Sequence, residues 1–501
     1  ADDDVTRHET HGAIVFLAKD RAFKLKRAVK YPYLDSSTAQ KRKALCEAEL
    51  RVNRRTAPQL YLEVRAIVPD DDGLRFGTTE ESDRAIDWVV VMRRFDQDNL
   101  MEQMRRRGAL TPELMRALGE TIATFHAKAE RQSAYGGAEA MARTIDGNLS
   151  ILKEKSDAPF DAQKIEQLAT LSRERLKSVS GLLDRRRENG FVRRCHGDMH
   201  LNNICVLDGS PVLFDAIEFN EDFACIDTLY DIAFTLMDLD RHDLRKLANQ
   251  LFNRYLEITH DYDGLAALPL FLSCRAALRA HVTMTMAEKS GGRTDASDSE
   301  ATALLDLAIA YLQPPAPHMV AMGGVSGTGK STLAFALAPV LGAAPGAIVL
   351  RSDVIRKELM GVTETERLPQ SAYSADVTAR VYATMQSRSA HSLESGHSAI
   401  ADAAHGKPEE RAEIARIAGQ AGAPFTGLWL SAPTATLEQR IAARHGDASD
   451  ATIAVLHAQL KSFIVPDDWA QIDVSGETRA ALEAAIRALP ASGRKKAGNP
   501  S

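Results

Sequence analysis

Two clusters of polar residues stand out by type and spacing. The first is His196-Gly197-Asp198-Met199-His200-Leu201-Asn202-Asn203-Ile204, followed downstream by Phe214-Asp215. Moving a phosphoryl group onto a hydroxyl needs a carboxylate that orients and deprotonates the acceptor. It also needs oxygen ligands that hold Mg²⁺ against the phosphates. Asp198 has the type for the first task, and Asn203 and Asp215 have it for the second. A plain β-hairpin with Asp and Asn as turn residues would be the simpler explanation, but it leaves the other matched positions unexplained. The second cluster is Gly324-Val325-Ser326-Gly327-Thr328-Gly329-Lys330-Ser331, a G-x-x-x-x-G-K-S pattern. An apolar strand candidate, Met319–Gly323, precedes it, and a helix with Leu333, Ala334 and Leu337 follows, which is the context the pattern requires. Glycines there let backbone N–H groups wrap phosphates at a helix N-terminus. Gly324, Ser326, Gly327, Thr328, Gly329 and Thr332 would form the cradle. Lys330 would reach the β/γ-phosphates, and the Ser331 hydroxyl would go to Mg²⁺.

The surrounding chain supplies elements to position these groups. Residues 1–35 alternate as a β-meander with strands over 5–10, 14–17 and 22–26, and Ala22, Lys24 and Lys26 share one face of the last. Ser36, Ser37 and Thr38 offer caps for a helix over 38–55. A short buried strand is predicted over 87–92, and helices over 111–130 and 161–189. Asp227 and Asp231 stand one helical turn apart, helices continue to about 288, a polar flexible loop covers 289–300, and a last helix runs to 312. Gln313-Pro314-Pro315-Ala316-Pro317 cannot continue that helix and makes a short stiff spacer. Beyond it, strands over 348–352, 398–402, 426–431 and 472–474 alternate with helices, the pattern of a doubly wound parallel sheet.

The forms H-G-D-x-H-x-x-N and F-D-x-I-E-F resemble the aminoglycoside phosphotransferase family, the small-molecule branch of the protein-kinase-like fold. The stretch after the prolines resembles small P-loop kinases of the gluconate, shikimate and zeta-toxin kind. Nearly the whole chain thus resembles bacterial fusions of an aminoglycoside phosphotransferase-like domain with a AAA/P-loop kinase domain. The resemblance implies an α+β protein-kinase-like bilobal domain over 1–312, with a small lobe to about 95 and a large lobe after it. A linker over 313–318, an α/β P-loop domain over 319–490 and a disordered tail over 491–501 complete the expectation.

Residue roles follow from the same resemblance. Lys24, with Lys26 as the alternative, would hold the α/β-phosphates, paired with Glu49 or, alternatively, Glu47. Met92 would sit where a hinge passes the adenine, His200 and Glu218 would face the acceptor, and Asp231 would brace the catalytic loop. In the second domain Asp402 would organise Mg²⁺, Asp353 would be the acceptor base, and Arg356 would contact substrate or phosphate. Arg440 and Arg444, four apart on one helix face, would form a lid that clamps the transferring phosphate. Two departures matter. The small lobe has no G-x-G-x-x-G, so phosphate contact there rests on the turn from His11 to Ala13 and on Lys24; the A-P-E element is also missing, which points away from a protein substrate.

Composition narrows the classes. At 501 residues with 45% apolar and 26% charged positions, the chain has enough for two or three ordinary globular domains. A net charge of −6 advertises neither a nucleic acid nor an anionic membrane as partner. Five cysteines without a C-x-x-C pair argue against a disulfide framework and for a reducing, cytoplasmic location. No apolar run is expected to span a bilayer. The expected activity is an enzyme with two ATP- and Mg²⁺-dependent sites, each phosphorylating a hydroxyl of a small molecule such as a sugar, polyol, aminoglycoside or nucleotide-like acceptor. The alternative is a nucleotide sensor that binds ATP without transfer.

Overall fold

Strand alternation at the N-terminus produces a six-stranded antiparallel sheet in a computed structural model that describes residues 5–9, 12–31, 34–71, 73–155, 159–289, 292–444 and 446–490. The strands Thr6–Glu9, Ala13–Ala18 and Arg21–Lys26 run in sequence, then Asp87–Arg93, Tyr61–Asp70 and Gly73–Gly77 complete the sheet in that order. Lys24 lies opposite Val15 on one side and Val90 on the other, so the strand carrying both lysines is interior to the sheet. The helix Ala39–Asn53, capped by the Thr38 hydroxyl, packs on it. Leu17, Ala22, Cys46, Tyr61, Val64, Trp88, Val90 and Met92 share the core between helix and sheet. The turn expected to contact phosphate begins at His11, which lies outside the described residues, as does the tail 491–501.

Downstream, helices Pro112–Lys128, Ala162–Glu188 and Thr228–Asp240 form close to their expected positions. A helix over Gly137–Glu154 was not expected, and the polar stretch after 289 is shorter as a loop than its composition suggests, since helix resumes at Asp295. The first turn there carries Asp295 and Asp298, acids that suit a helix N-terminus. The stretch that carries Asp198 lies on a short turn before the hairpin Ile204–Leu207 and Ser210–Leu213.

The second sheet is five-stranded and parallel, in the order Ile348–Arg351, Ala399–Asp402, Met319–Gly323, Phe425–Ser431, Ala470–Asp473. Its last strand begins two residues before the stretch that apolar content marked. Val320, Met322, Val349, Ile400, Leu428 and Ile472 pack with Leu333 and Leu337 of the helix Lys330–Leu337 into one buried cluster. The fold is therefore a protein-kinase-like α+β domain followed by a P-loop α/β domain.

By packing, the chain forms two units: Ala1–Arg241 with Cys274–Ala308, and His242–Ser273 with Ile309–Ser501. A boundary drawn at the prolines does not show that 242–273 joins the second unit. The reason is local: the helix Arg245–Thr259 lies along the P-loop sheet's edge strand. One segment, Asp263–Lys289, is long and apolar enough to cross a membrane by length and composition, contrary to expectation, and 78% of its most apolar 18-residue window is buried inside the protein. It carries Arg275 and His281, whose burial beside the Tyr230 carbonyl and Asn148 respectively suits a core helix.

Candidate active sites

The first site forms where the small-lobe sheet meets the catalytic turn. Period-two alternation points Lys24 and Lys26 to one face, and both reach Glu49 on the helix Ala39–Asn53. Lys24 Nζ lies 2.7 Å from Glu49 Oε1 and 2.5 Å from Asp215 Oδ1. Lys26 Nζ lies 2.5 Å from Glu49 Oε2 and 2.5 Å from Glu218 Oε1. The choice between the lysines is thus not exclusive, while Glu47 is exposed and pairs only with Lys43 among the described residues. Burial works against the charge of Glu49, yet the two lysines outweigh it and hold its carboxyl at about 2. Glu218 behaves oppositely: burial dominates and raises it despite Lys26, since it also feels Glu49. Glu218, expected to face the acceptor, is ion-paired with Lys26.

The catalytic turn is held from below. Asp231 accepts the His196 N–H at 3.0 Å, the Gly197 N–H at 2.8 Å and a contact from His126 Nε2 at 3.1 Å. Asp238, two turns on, accepts the Leu201 N–H at 2.8 Å. Gly197 has φ +85°, and a Cβ there would meet the Phe223 carbonyl at 2.7 Å, so glycine is required at this approach. Asn203 Nδ2 donates to the Asp198 backbone carbonyl at 2.9 Å and to Asp198 Oδ2 at 3.0 Å, so Oδ1 is the atom of the amide with the chemistry to take a cation. His200, expected to face the acceptor, has its Nε2 3.4 Å from Asp198 Oδ2. Desolvation opposes the Asp198 charge, but His200 and His196 outweigh it and keep the carboxyl well below its ordinary range. Asp215 sits in the left-handed region at φ +62°, pinned by its N–H donating to the Tyr61 hydroxyl at 3.2 Å and by the Ala216 N–H donating to Asn53 Oδ1 at 2.7 Å. Asp198, Asn203 and Asp215 all carry oxygen donors, the ligand chemistry Mg²⁺ takes, and the N–H of Phe214, next to Asp215, donates to the Asn203 carbonyl at 3.0 Å. Met92 is buried in the small-lobe core beside Tyr61 and Ala22.

The sequence assigns no role to Tyr61 or Asn53. Asn53 ends a helix and Tyr61 starts a strand, positions with ordinary structural explanations, and only their partners reveal that they fix the backbone around Asp215.

The second site is a cavity of about 820 Å³ at the carboxyl end of the parallel strands, lined by the P-loop from Ser326 to Thr332. Ligands in open α/β sheets sit at that end. Gly324, Gly327 and Gly329 all have positive φ, and at Gly324 a Cβ would meet the Leu430 carbonyl at 2.5 Å. Thr328 Oγ1 donates to the Val325 carbonyl at 2.9 Å, tightening the loop. Lys330 Nζ folds over it, donating to the Gly324 and Val325 carbonyls at 3.0 Å each. Ser331 Oγ donates to Asp402 Oδ2 at 2.5 Å, which joins the two expected Mg²⁺ partners. Burial lowers Lys330 and raises Asp402; Asp402 in turn favours the charged lysine.

Asp353 stands in the first turn of the helix Ser352–Leu359 and lines the same cavity. Arg356 lines it too, but its Nη1 is committed to the Ala372 carbonyl at 2.8 Å and Thr378 Oγ1 at 3.2 Å, and its guanidinium lies over Tyr373. Arg440 and Arg444 both reach the cavity, although not from one helix face: the helix Thr434–Ala442 ends before Arg444. Arg440 donates to the Val474 carbonyl, while Arg444 Nε lies 3.2 Å from Asp447 Oδ2. His445, between them and Asp447, lies outside the described residues. Among the cavity residues that the sequence does not single out are Arg351, Asp450 and Gln459. Gln459 Oε1 accepts the Ser326 N–H at 2.8 Å, a contact across a long sequence separation that no local pattern announces.

Comparisons with known proteins match each candidate site to its own family. Residues 27–268 match the phosphotransferase enzyme family, and residues 319–466 match the AAA domain family. An uncharacterized protein of Mycobacterium tuberculosis and one of Mycobacterium bovis are each 31% identical over 475 residues, covering 93% of this chain and 92% of theirs. The chain belongs to their two-domain family. Both domains of such a chain are of kinase and phosphotransferase families. Among solved structures, a gluconokinase from Sinorhizobium meliloti is 22% identical with a TM-score of 0.26, covering 34% of this chain and 94% of that one. A choline/ethanolamine kinase family protein from Mesorhizobium loti is 14% identical with a TM-score of 0.38, covering 62% and 93%.

Proposed function

We propose that this chain is an ATP-dependent phosphotransferase with two kinase-type sites, each transferring the γ-phosphoryl group of Mg-ATP to a hydroxyl of a small molecule. The observation that carries it is the hydrogen bond from Asn203 Nδ2 to Asp198 Oδ2, which sets the candidate base and a cation ligand side by side, with Asp215 on Lys24. Mg²⁺ would neutralise charge on the phosphates and hold them in line. Asp198 orients the acceptor hydroxyl and takes its proton as the oxygen attacks the γ-phosphorus; the bond to the β-phosphate oxygen breaks and ADP leaves. Lys24, held by Glu49, supplies a fixed positive charge for the α/β-phosphates. In the second site Lys330 and the P-loop N–H groups bind the triphosphate, Ser331 and Asp402 hold the cation, and Asp353 faces the acceptor. Arg444 and Arg440 offer charge where the phosphoryl group moves.

Acceptors of the sugar, polyol, aminoglycoside or nucleotide-like kind fit the reading. Five buried free thiols support a reducing, cytoplasmic setting. The test is transfer of label from [γ-³²P]ATP into a panel of such acceptors, resolved by chromatography. Labelled product from at least one acceptor supports the reading. ATP binding without transfer to any of them favours a nucleotide sensor instead.

A further inference from the structure

The helix Arg245–Thr259 falls inside the segment that matches the phosphotransferase family and outside the segment that matches the AAA domain, yet it packs in the P-loop unit. Its attachment is specific. Asn249 and Asn253 are buried against the edge strand Ile348–Arg351. Asn253 Oδ1 accepts the Val349 N–H at 2.7 Å, and the Asn253 and Asn249 amides donate to the Ala347 carbonyl at 3.2 and 3.0 Å. These bonds satisfy backbone groups that an edge strand would otherwise leave exposed.

From the same helix a line of alternating charges runs into the cavity. Arg254 Nη1 lies 3.0 Å from Glu257 Oε2 and 3.2 Å from Glu364 Oε2. Glu364 Oε1 takes Arg351 Nη1 at 2.7 Å, Arg351 Nη2 lies 3.5 Å from Asp447 Oδ1, and Asp447 Oδ2 holds Arg444 Nε at 3.2 Å. Arg351 and Arg444 both line the P-loop cavity. Each also has one buried N–H, Nε of Arg351 and Nη1 of Arg444, with no hydrogen-bond partner among the described residues. Those two donors suit an anionic group in the cavity, and their direction depends on the acids that hold the guanidinium planes. Most of these side chains are largely buried, so removing one partner leaves its neighbour with an uncompensated charge and frees it to move.

We propose that Arg254 is a positioning residue of the P-loop site: through Glu364 it fixes Arg351, and through Asp447 that order extends to Arg444. The P-loop domain is then incomplete when cut at the prolines, because a helix from before them orients two of its cavity cations. This rests on the reading that the cavity binds a Mg-nucleotide.

The test is calorimetric binding of Mg-AMP-PNP to the full chain, with Lys330→Ala defining which part of the binding belongs to the P-loop. Arg254→Met is expected to weaken that part about tenfold and to leave the remaining binding unchanged. Arg254→Lys, which keeps the charge, should recover part of the loss. Glu364→Gln breaks the next link without touching the helix and should reproduce the loss, which decides the matter if Arg254→Met fails to fold. Lys330-dependent binding that both Arg254→Met and Glu364→Gln leave unaltered overturns the inference alone. If wild type shows no Lys330-dependent binding, the nucleotide reading of the cavity and this inference fall together.

Discussion

Glu49 gives one carboxylate oxygen to each of two lysines, 2.7 Å to Lys24 Nζ and 2.5 Å to Lys26 Nζ, and those lysines carry the bridge onward to Asp215 and Glu218. The five groups tie the strand, the helix and the segment after the catalytic hairpin into one charged cluster. Because Glu49 is fully buried, removing its charge takes from each lysine one of its two acids and leaves two cations close together around a buried polar group. Glu49→Gln should therefore lower unfolding free energy by about 3–5 kcal/mol, read from urea denaturation. Glu47→Gln, on the exposed side of the same helix, should change it by no more than about 0.5 kcal/mol. Equal effects would mean that the cluster does not bear on stability.

The two lysines should separate by function. Lys24 contacts Asp215, whereas Lys26 contacts Glu218. Lys24→Ala is expected to cost the first site about 10²-fold in kcat/KM, with Lys26→Ala costing clearly less. Steady-state kinetics with any accepted hydroxyl compound measure both. The reverse order would move the phosphate-binding role to Lys26.

Acid should unfasten the catalytic turn through Asp231. Burial would raise its carboxyl, but His126 and the surrounding charges outweigh that and hold it at about 2, below its ordinary value of 3.8. A depressed carboxyl contributes stability that is full above the ordinary value and is lost as pH falls toward the folded one. Wild type should thus lose stability between about pH 4 and pH 2 relative to Asp231→Asn, whose stability is lower at neutral pH. Denaturant titrations at pH 7, 4 and 3 check it; parallel curves for the two proteins would contradict it.

Gln459 occupies a backbone donor that a phosphate oxygen would seek. Its Oε1 takes the Ser326 N–H, so nucleotide must displace the amide or accept one bond fewer. Gln459→Ala should tighten Mg-ADP binding at the P-loop by about two- to tenfold, the worth of one such hydrogen bond. Unchanged or weaker binding, measured by calorimetry, would show that Gln459 aids the bound state instead.

Both folds were legible because their signals are local. Binary alternation exposed the first strands, and the glycine-lysine-serine pattern between a strand and a helix exposed the second domain. The same holds for Asp198, Asn203, Asp215 and Lys330, which sit inside short motifs. What escaped is long-range. Tyr61 and Asn53 meet Asp215 and Ala216 only after the small lobe closes on the catalytic turn. Arg444 was read as helical because periodicity cannot see where a helix frays. Residues 242–273 look like a continuation of the first domain, and long-range pairings such as Asn253 with Val349 and Arg254 with Glu364 reveal otherwise. The Asp263–Lys289 segment shows the complementary limit: apolar content alone cannot separate a core helix from a membrane span.

The most direct test of two independent transfer sites is acceptor-stimulated ADP release from Mg-ATP, run for wild type, Asp198→Ala and Lys330→Ala across sugars, polyols, nucleosides and aminoglycosides. The account predicts acceptors whose stimulation vanishes in Asp198→Ala but survives in Lys330→Ala, and others with the opposite pattern. Stimulation by none of them, with ATP still bound in wild type, would contradict it.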